Sequence, residues 1–192
     1  MKGYNYEIKA IPTMFQGVMM RSRLEARWAA FFTECGFPWT YEPIDFGEWS
    51  PDFSLDLHRK IYVEVKPMIN QELIAELVRV ARPVSEATGA RALLVGAAVE
   101  YNESERFWSL GVGLGEGSMV EPSGELSVDD IAIGRCDGPA RRGARCRVFG
   151  IAPQYASYRC WACDGYDGNP VEPDAEVQKL WAAACNKIQW KP

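Results

Sequence analysis

Residues 51–66 read Pro51-Asp52-Phe53-Ser54-Leu55-Asp56-Leu57-His58-Arg59-Lys60-Ile61-Tyr62-Val63-Glu64-Val65-Lys66. Apolar and polar residues alternate on both sides of His58, Arg59 and Lys60. An alternation with a period of two is typical of β-strands, and the polar tripeptide between the two halves predicts a tight turn. This stretch therefore predicts a β-hairpin, around which the rest of the chain is organised.

Acidic and basic side chains converge on one part of the predicted hairpin. The period of two puts Glu64 and Lys66 on the same face of the second strand, and a turn at 58–60 brings Asp52 close to them. Two carboxylates at close range repel each other, so folding alone gives no reason to pair them. A divalent cation such as Mg²⁺ or Mn²⁺, which takes oxygen ligands, would give one. The competing interpretation is an exposed Glu-Lys pair on the solvated face of a sheet that is covered on one side.

Predicted elements on both sides of the hairpin give the order α-β-β-β-α-β. Ser22 and Glu25 have the spacing of a capping box, which predicts that the first helix begins at Ser22. An aromatic strand over 37–43 precedes the hairpin. After the hairpin we predict a helix over 70–87, in which Pro83 indicates a kink or an early end. A buried strand over 90–97 comes next. A helical crossover between two strands predicts a parallel pair.

These residues resemble a known family. Pro51-Asp52 followed by Glu64-Val65-Lys66 is similar to the signature of the PD-(D/E)XK superfamily of restriction-endonuclease-like nucleases. The run from Arg21 to Ala29 resembles the first helix of phage-encoded members, and Tyr41-Glu42-Pro43 fits the same pattern. The resemblance covers roughly residues 14–97. It implies an α/β fold (an α+β mixed sheet) with a restriction-endonuclease-like core, followed by a loop-rich C-terminal appendage and a terminal helix.

The resemblance also implies a function, a Mg²⁺- or Mn²⁺-dependent deoxyribonuclease that acts in phage DNA metabolism, recombination or repair. Asp52, Glu64 and the Val65 carbonyl would bind the metal, which polarises the scissile phosphate and activates water. Lys66 would orient or activate that nucleophile and balance charge in the transition state. Glu25 has two interpretations, as the capping partner of Ser22 or as a catalytic residue that reaches the metal through water.

Two other functions stay open. One is a catalytically silent module on the same fold that binds DNA or another protein. The other is the endonuclease subunit of a cut-and-paste transposon, which expects a partner transposase. A homodimer, or a protein partner in a replication, recombination or transposition complex, is a further expectation.

Composition limits the class of protein. The chain has 192 residues, 47% of them hydrophobic, and a net charge of −5. No apolar run reaches membrane-spanning length and the N-terminus lacks a signal peptide's apolar segment, so we expect a soluble cytoplasmic protein of a bacterium or phage-infected host, with no membrane partner. The acidic total disfavours nucleic acid only weakly, because DNA responds to the local field. The arginines expected to contact DNA are clustered in two runs, Arg21, Arg23 and Arg27, and Arg141, Arg142 and Arg145.

The second half of the chain carries weaker signals. We predict a nuclease core over 1–98 and an extension over 99–192 that contains a cysteine-rich loop (134–165) and a helix (174–188) packed on the core. Glycines at every second position from 111 to 117 indicate a flexible hairpin turn. Four cysteines could form a structural zinc site, and the alternative is reduced thiols. These are Cys136, Cys146, Cys160 and Cys163.

Overall fold

A computed structural model describes residues 10–114, 128–136, 149–153, 160–162 and 174–189. The described elements are a short hairpin, β1 (Thr13–Phe15) and β2 (Val18–Met20), then helix α1 (Arg23–Glu34), strands β3 (Trp39–Tyr41), β4 (Phe53–Asp56) and β5 (Lys60–Val65), helix α2 (Gln71–Thr88), strands β6 (Arg91–Asn102), β7 (Phe107–Leu114), β8 (Asp129–Arg135) and β9 (Phe149–Pro153), and helix α3 (Glu176–Lys187). This is a mixed α/β protein.

Strands β3 to β9 form one seven-stranded sheet in their sequence order. β5 and β6 pair in parallel, as the helical crossover predicts, and the other neighbours pair antiparallel. The predicted hairpin is β4 and β5, with Phe53 opposite Val63 and Asp56 opposite Lys60. The order α-β-β-β-α-β from α1 to β6 is confirmed, and β7, β8 and β9 extend the same sheet.

Helices cover both faces of the sheet. Phe53, Val63 and Val65 point into a core shared with α1 and α3. Tyr62 and Leu94 point into a second core under α2. Because both faces are covered, two polar alternate residues of the hairpin are buried too, and Asp52 and Ser54 are each only 2% exposed. The interpretation of a sheet covered on one side is therefore wrong at this hairpin.

Both predicted helices that flank the hairpin are present. Ser22 is the N-cap of α1, and its hydroxyl accepts a hydrogen bond from the backbone N–H of Glu25. Asn70 caps α2 in the same way through Leu73. The early end predicted at Pro83 is wrong, because α2 continues to Thr88.

The predicted C-terminal helix is α3, which packs on α1. Trp181 lies against Trp28 with ring centroids 4.8 Å apart, and Val177 and Ala184 are fully buried. Among the described helices, none combines the length and hydropathy that crossing a membrane would require.

The flexible turn predicted from the glycine run is wrong for its first two members. Gly111 and Gly113 lie inside β7, between β6 and β8. Gly111 has φ +144°, and a Cβ there would lie 2.0 Å from the carbonyl oxygen of Leu94. These glycines allow strands to approach closely. Residues 115 and 117 lie outside the described part of the chain.

Candidate active site

The site lies where β4 begins and β5 ends. Asp52 precedes β4, and continuing the Phe53–Val63 register by one residue places it opposite Glu64. Residues that are opposite each other in an antiparallel pair project to the same face of the sheet. The fold therefore brings together the two acids that the sequence predicted would converge.

Asp52 is buried and bonded through both carboxylate oxygens. Its Oδ2 accepts a hydrogen bond of 2.7 Å from the backbone N–H of Val65, and its Oδ1 accepts one from Nη2 of Arg21. Burial and the negative charges of Glu64 and Glu25 together raise the pKa of Asp52 to about 6, against the opposing effects of the Val65 N–H and Arg21. Ionised Asp52 thus lies in a region of negative potential that a cation would relieve.

Glu64 is held from two sides. Nζ of Lys66 donates a 2.7 Å hydrogen bond to its Oε1, and the indole Nε1 of Trp49 donates one of 3.1 Å to its Oε2. Trp49 is itself buried, stacks on Phe46 and makes an edge-to-face contact with Tyr62. Lys66 directly follows β5, and its backbone N–H donates to the carbonyl of Val95 on the parallel strand β6.

Glu25 has the predicted capping position, and its carboxylate is fully engaged there. Its Oε1 accepts from the hydroxyl of Ser22 at 2.8 Å, and its Oε2 accepts from the hydroxyl of Tyr41 at 2.5 Å and from the backbone N–H of Arg21 at 3.1 Å. Burial and the bond to Glu25 raise the pKa of Tyr41 to about 12. The capping interpretation of Glu25 is confirmed, while its charge still reaches Asp52.

The arginines of the first helix take different positions. Arg21, just before α1, reaches Asp52 and also Glu42, with 3.2 Å between its Nε and the Glu42 Oε1. Arg23 is half-buried, and Arg27 lies near Cys185 of α3, with its Nε buried and without a hydrogen-bond partner. Arg141, Arg142 and Arg145 lie outside the described residues.

The oxygen donors of the site decide which kind of metal ion it could bind. No group of three or more Asp, Glu, His or Cys side chains could hold a metal ion within the described part of the chain. Mg²⁺, however, is commonly bound by one or two carboxylates together with water and substrate phosphate. Asp52 and Glu64 fit this sparser donor set, and their mutual repulsion favours a cation.

The predicted zinc site is described only in part. Cys136 and Cys160 are both buried and form a small cluster with Ala162. Cys146 and Cys163 lie outside the described residues, so the zinc site stays a prediction.

Trp49 is the site residue that the sequence analysis missed. It lies in the loop before the hairpin, where the run Asp45 to Ser50 contains two aromatic residues, Phe46 and Trp49, and these were the available signal. Arg21 was predicted to contact DNA, whereas in the structure it contacts Asp52.

The chain was compared with protein families, curated proteins and solved structures. No protein-family model matches the chain, and neither a curated protein nor a solved structure does.

Proposed function

We propose that this chain is a metal-dependent nuclease that hydrolyses phosphodiester bonds in DNA. The proposal is carried by one observation, the convergence of Asp52, Glu64 and Lys66 at the open end of a hairpin whose register holds the two acids opposite each other. Lys66 is 38% exposed at its side chain, so its ammonium group borders both the acid pair and solvent.

Each residue has a distinct role in this proposal. Asp52 and Glu64 would hold Mg²⁺ or Mn²⁺ with the Val65 carbonyl, and the ion would polarise the scissile phosphate and acidify a water molecule. Lys66 orients the attacking water and stabilises negative charge on the phosphoryl oxygens. In the reaction the water oxygen bonds to phosphorus and loses one proton to solvent, the phosphorus–oxygen ester bond breaks, and the leaving oxygen takes up one proton from solvent.

Two supporting residues keep the acids in place. Trp49 fixes the second oxygen of Glu64, so that this carboxylate has one defined orientation. The Val65 N–H does the same for Asp52. Preorganised carboxylates cost little reorganisation when the substrate arrives, which is the condition for efficient catalysis.

A second candidate is a DNA- or protein-binding module that does not cut. It is favoured by the ion pairs within the site, since Arg21 neutralises Asp52 and Lys66 neutralises Glu64. Because the side chains of Arg21 and Lys66 compensate the charges of the two acids, this arrangement can be stable in a protein that has no catalytic activity.

The experiment that separates the two candidates is a cleavage assay with Mg²⁺ or Mn²⁺ on plasmid, linear, single-stranded and branched DNA. Wild type is compared with Lys66→Ala, Asp52→Asn and Glu64→Gln, each checked for folding by circular dichroism. Lys60→Ala is the matched control, because Lys60 lies on the same strand and pairs with Asp56 at 2.9 Å, away from the site.

We expect cleavage by wild type and by Lys60→Ala, and a loss of about 100-fold or more in the three site variants. DNA binding without cleavage by every form of the protein would favour the binding module. Cleavage that survives in Lys66→Ala and Asp52→Asn would show that the activity does not come from this site.

A further inference from the structure

Arg21 is the most exposed member of the site and the one with the most acidic neighbours. Its guanidinium contacts Asp52, lies 3.2 Å from an oxygen of Glu42 and 4.0 Å from an oxygen of Glu25, yet 62% of its side chain is exposed. Its backbone is fixed, because its N–H donates both to Glu25 and to the hydroxyl of Tyr41. The backbone of Arg21 is therefore held in place, while its charged guanidinium lies at the end of a long, exposed side chain.

The oxygen of Asp52 that Arg21 contacts, Oδ1, is not the one that accepts the Val65 N–H. Oδ2 of Asp52 already accepts the buried N–H of Val65, whereas Oδ1 faces the exposed guanidinium. A divalent cation that binds Asp52 must approach the same oxygen and must come close to a fixed positive charge. Both effects oppose metal binding while Arg21 stays in place.

We propose that Arg21 competes with the divalent cation for Oδ1 of Asp52 and so sets the metal affinity of the site. The inference rests on the proposed function, since it assumes that Asp52 holds the ion. Arg21 leaves Asp52 when the ion binds, and its exposed arm lets it move without disturbing α1. Arg21 is in this view an affinity-setting residue, separate from the groups that act on the phosphate.

The test is isothermal titration of Mn²⁺ into the metal-stripped full chain, without DNA. Arg21→Ala removes the competing charge, and Arg21→Gln removes the charge but keeps a polar side chain should the alanine variant fail to fold. Arg79→Ala is the matched control. It changes the net charge equally and removes an arginine of similar exposure (56%), whose ion pairs are with Glu48 and Glu76. Asp52→Asn identifies binding at this site.

We expect both Arg21 variants to bind Mn²⁺ about tenfold more tightly than wild type, because one charge-assisted contact no longer has to be broken. Arg79→Ala should bind as wild type does. A second readout is thermal melting, in which a fixed Mn²⁺ concentration should raise the melting temperature of the Arg21 variants more than that of wild type.

The outcomes separate the inference from the function on which it rests. Binding to wild type that is lost in Asp52→Asn but unchanged or weakened in the Arg21 variants overturns the inference and leaves the nuclease proposal standing. Equal tightening in Arg79→Ala also overturns it, since the effect would then come from net charge. No Mn²⁺ binding by any form overturns both.

Discussion

The backbone N–H of Val65 donates a buried hydrogen bond of 2.7 Å to Oδ2 of Asp52. This bond joins the end of β5 to the residue that precedes β4, so a backbone-to-side-chain hydrogen bond connects Asp52 with the segment Glu64-Val65-Lys66. The geometry of the site thus depends on the hairpin, and Asp52 serves the fold as well as the chemistry.

That double role predicts a difference between two substitutions of Asp52. Asp52→Asn keeps a side-chain oxygen that can accept the Val65 N–H, and it removes a buried charge that repels Glu64. Asp52→Ala leaves the buried N–H without a partner, which costs about 1–3 kcal/mol. In urea unfolding without metal we expect the alanine variant to be the less stable by this amount. Equal stability of the two variants would show that the bond contributes little.

Glu25 gives the second prediction. Its carboxylate is engaged by Ser22, Tyr41 and the N–H of Arg21, so its main task is to cap α1 and join it to β3. We expect Glu25→Gln to lower the free energy of unfolding by about 1–2 kcal/mol and to keep the cleavage rate within about tenfold of wild type. Ser22→Ala, which removes the N-cap and the hydroxyl bond to Glu25 but keeps the Glu25 carboxylate, should lose about 1 kcal/mol with no change in rate. A 100-fold loss of rate in folded Glu25→Gln would instead support the catalytic interpretation.

Trp49 gives the third prediction, which concerns the orientation of Glu64. Trp49→Phe keeps an aromatic ring against Phe46 and Tyr62 but removes the indole N–H that bonds to Glu64. We expect a fall in kcat of about tenfold with little change in KM, because the substrate contacts remain. Trp39→Phe is the control, since it loses an indole bond of 2.9 Å to Thr33 outside the site. An equal fall in both variants would mean that general loosening, and not Glu64, is responsible.

The sequence predicted those parts of the fold and site that depend on local pattern. The hairpin followed from an alternation over sixteen residues, α1 from the spacing of Ser22 and Glu25, and the parallel pairing from the helix between β5 and β6. The proximity of Asp52 and Glu64 could be predicted because the turn of a short hairpin fixes the register of its strands.

The contacts that were missed join residues far apart in sequence. The bond from Arg21 to Asp52 spans 31 positions and that from Trp49 to Glu64 spans 15, and neither has a local signature. β8 and β9 were not predicted, because both strands are short and are flanked by long polar runs. Glycine alone cannot distinguish a turn from a close strand contact, which is why Gly111 and Gly113 were assigned to a turn.

The half-buried acids of β8, Asp129 and Asp130, predict a pH dependence of stability. Burial and the charge of Asp130 raise the pKa of Asp129, and its Oδ2 is buried without a hydrogen-bond partner. Because the pKa is higher in the fold than in the unfolded chain, ionisation costs more in the fold. The contribution of Asp129 to stability is therefore fully present below the unfolded pKa of 3.8 and is lost as pH rises through the folded pKa.

Asp129→Asn should accordingly be more stable than wild type near pH 7 and lose that advantage near pH 4, as measured by urea midpoints in the absence of metal. Asp174→Asn should behave in the opposite way. The N–H of Glu176 and the guanidinium of Arg135 lower the pKa of Asp174, so its contribution is present at neutral pH and disappears as pH falls through the lowered pKa. If the wild type were more stable to urea than Asp129→Asn at pH 7, the raised pKa of Asp129 would be contradicted.

Alanine substitutions at Gly96 in β6 and at Gly111 and Gly113 in β7 should lower the stability of the protein by different amounts. A Cβ at Gly111 would lie 2.0 Å from the Leu94 carbonyl oxygen, a backbone atom that cannot move without breaking the ladder. At Gly113 the obstacle is the side chain of Ile131 at 2.5 Å, which can shift at a cost of about 1–3 kcal/mol. At Gly96 the nearest atom, in Ile69, is 3.4 Å away, an ordinary contact. We expect urea unfolding to rank Gly111→Ala as the most destabilised, Gly113→Ala as intermediate and Gly96→Ala as close to wild type, and tolerance of alanine at Gly111 would mean that β6 and β7 do not approach as closely as described.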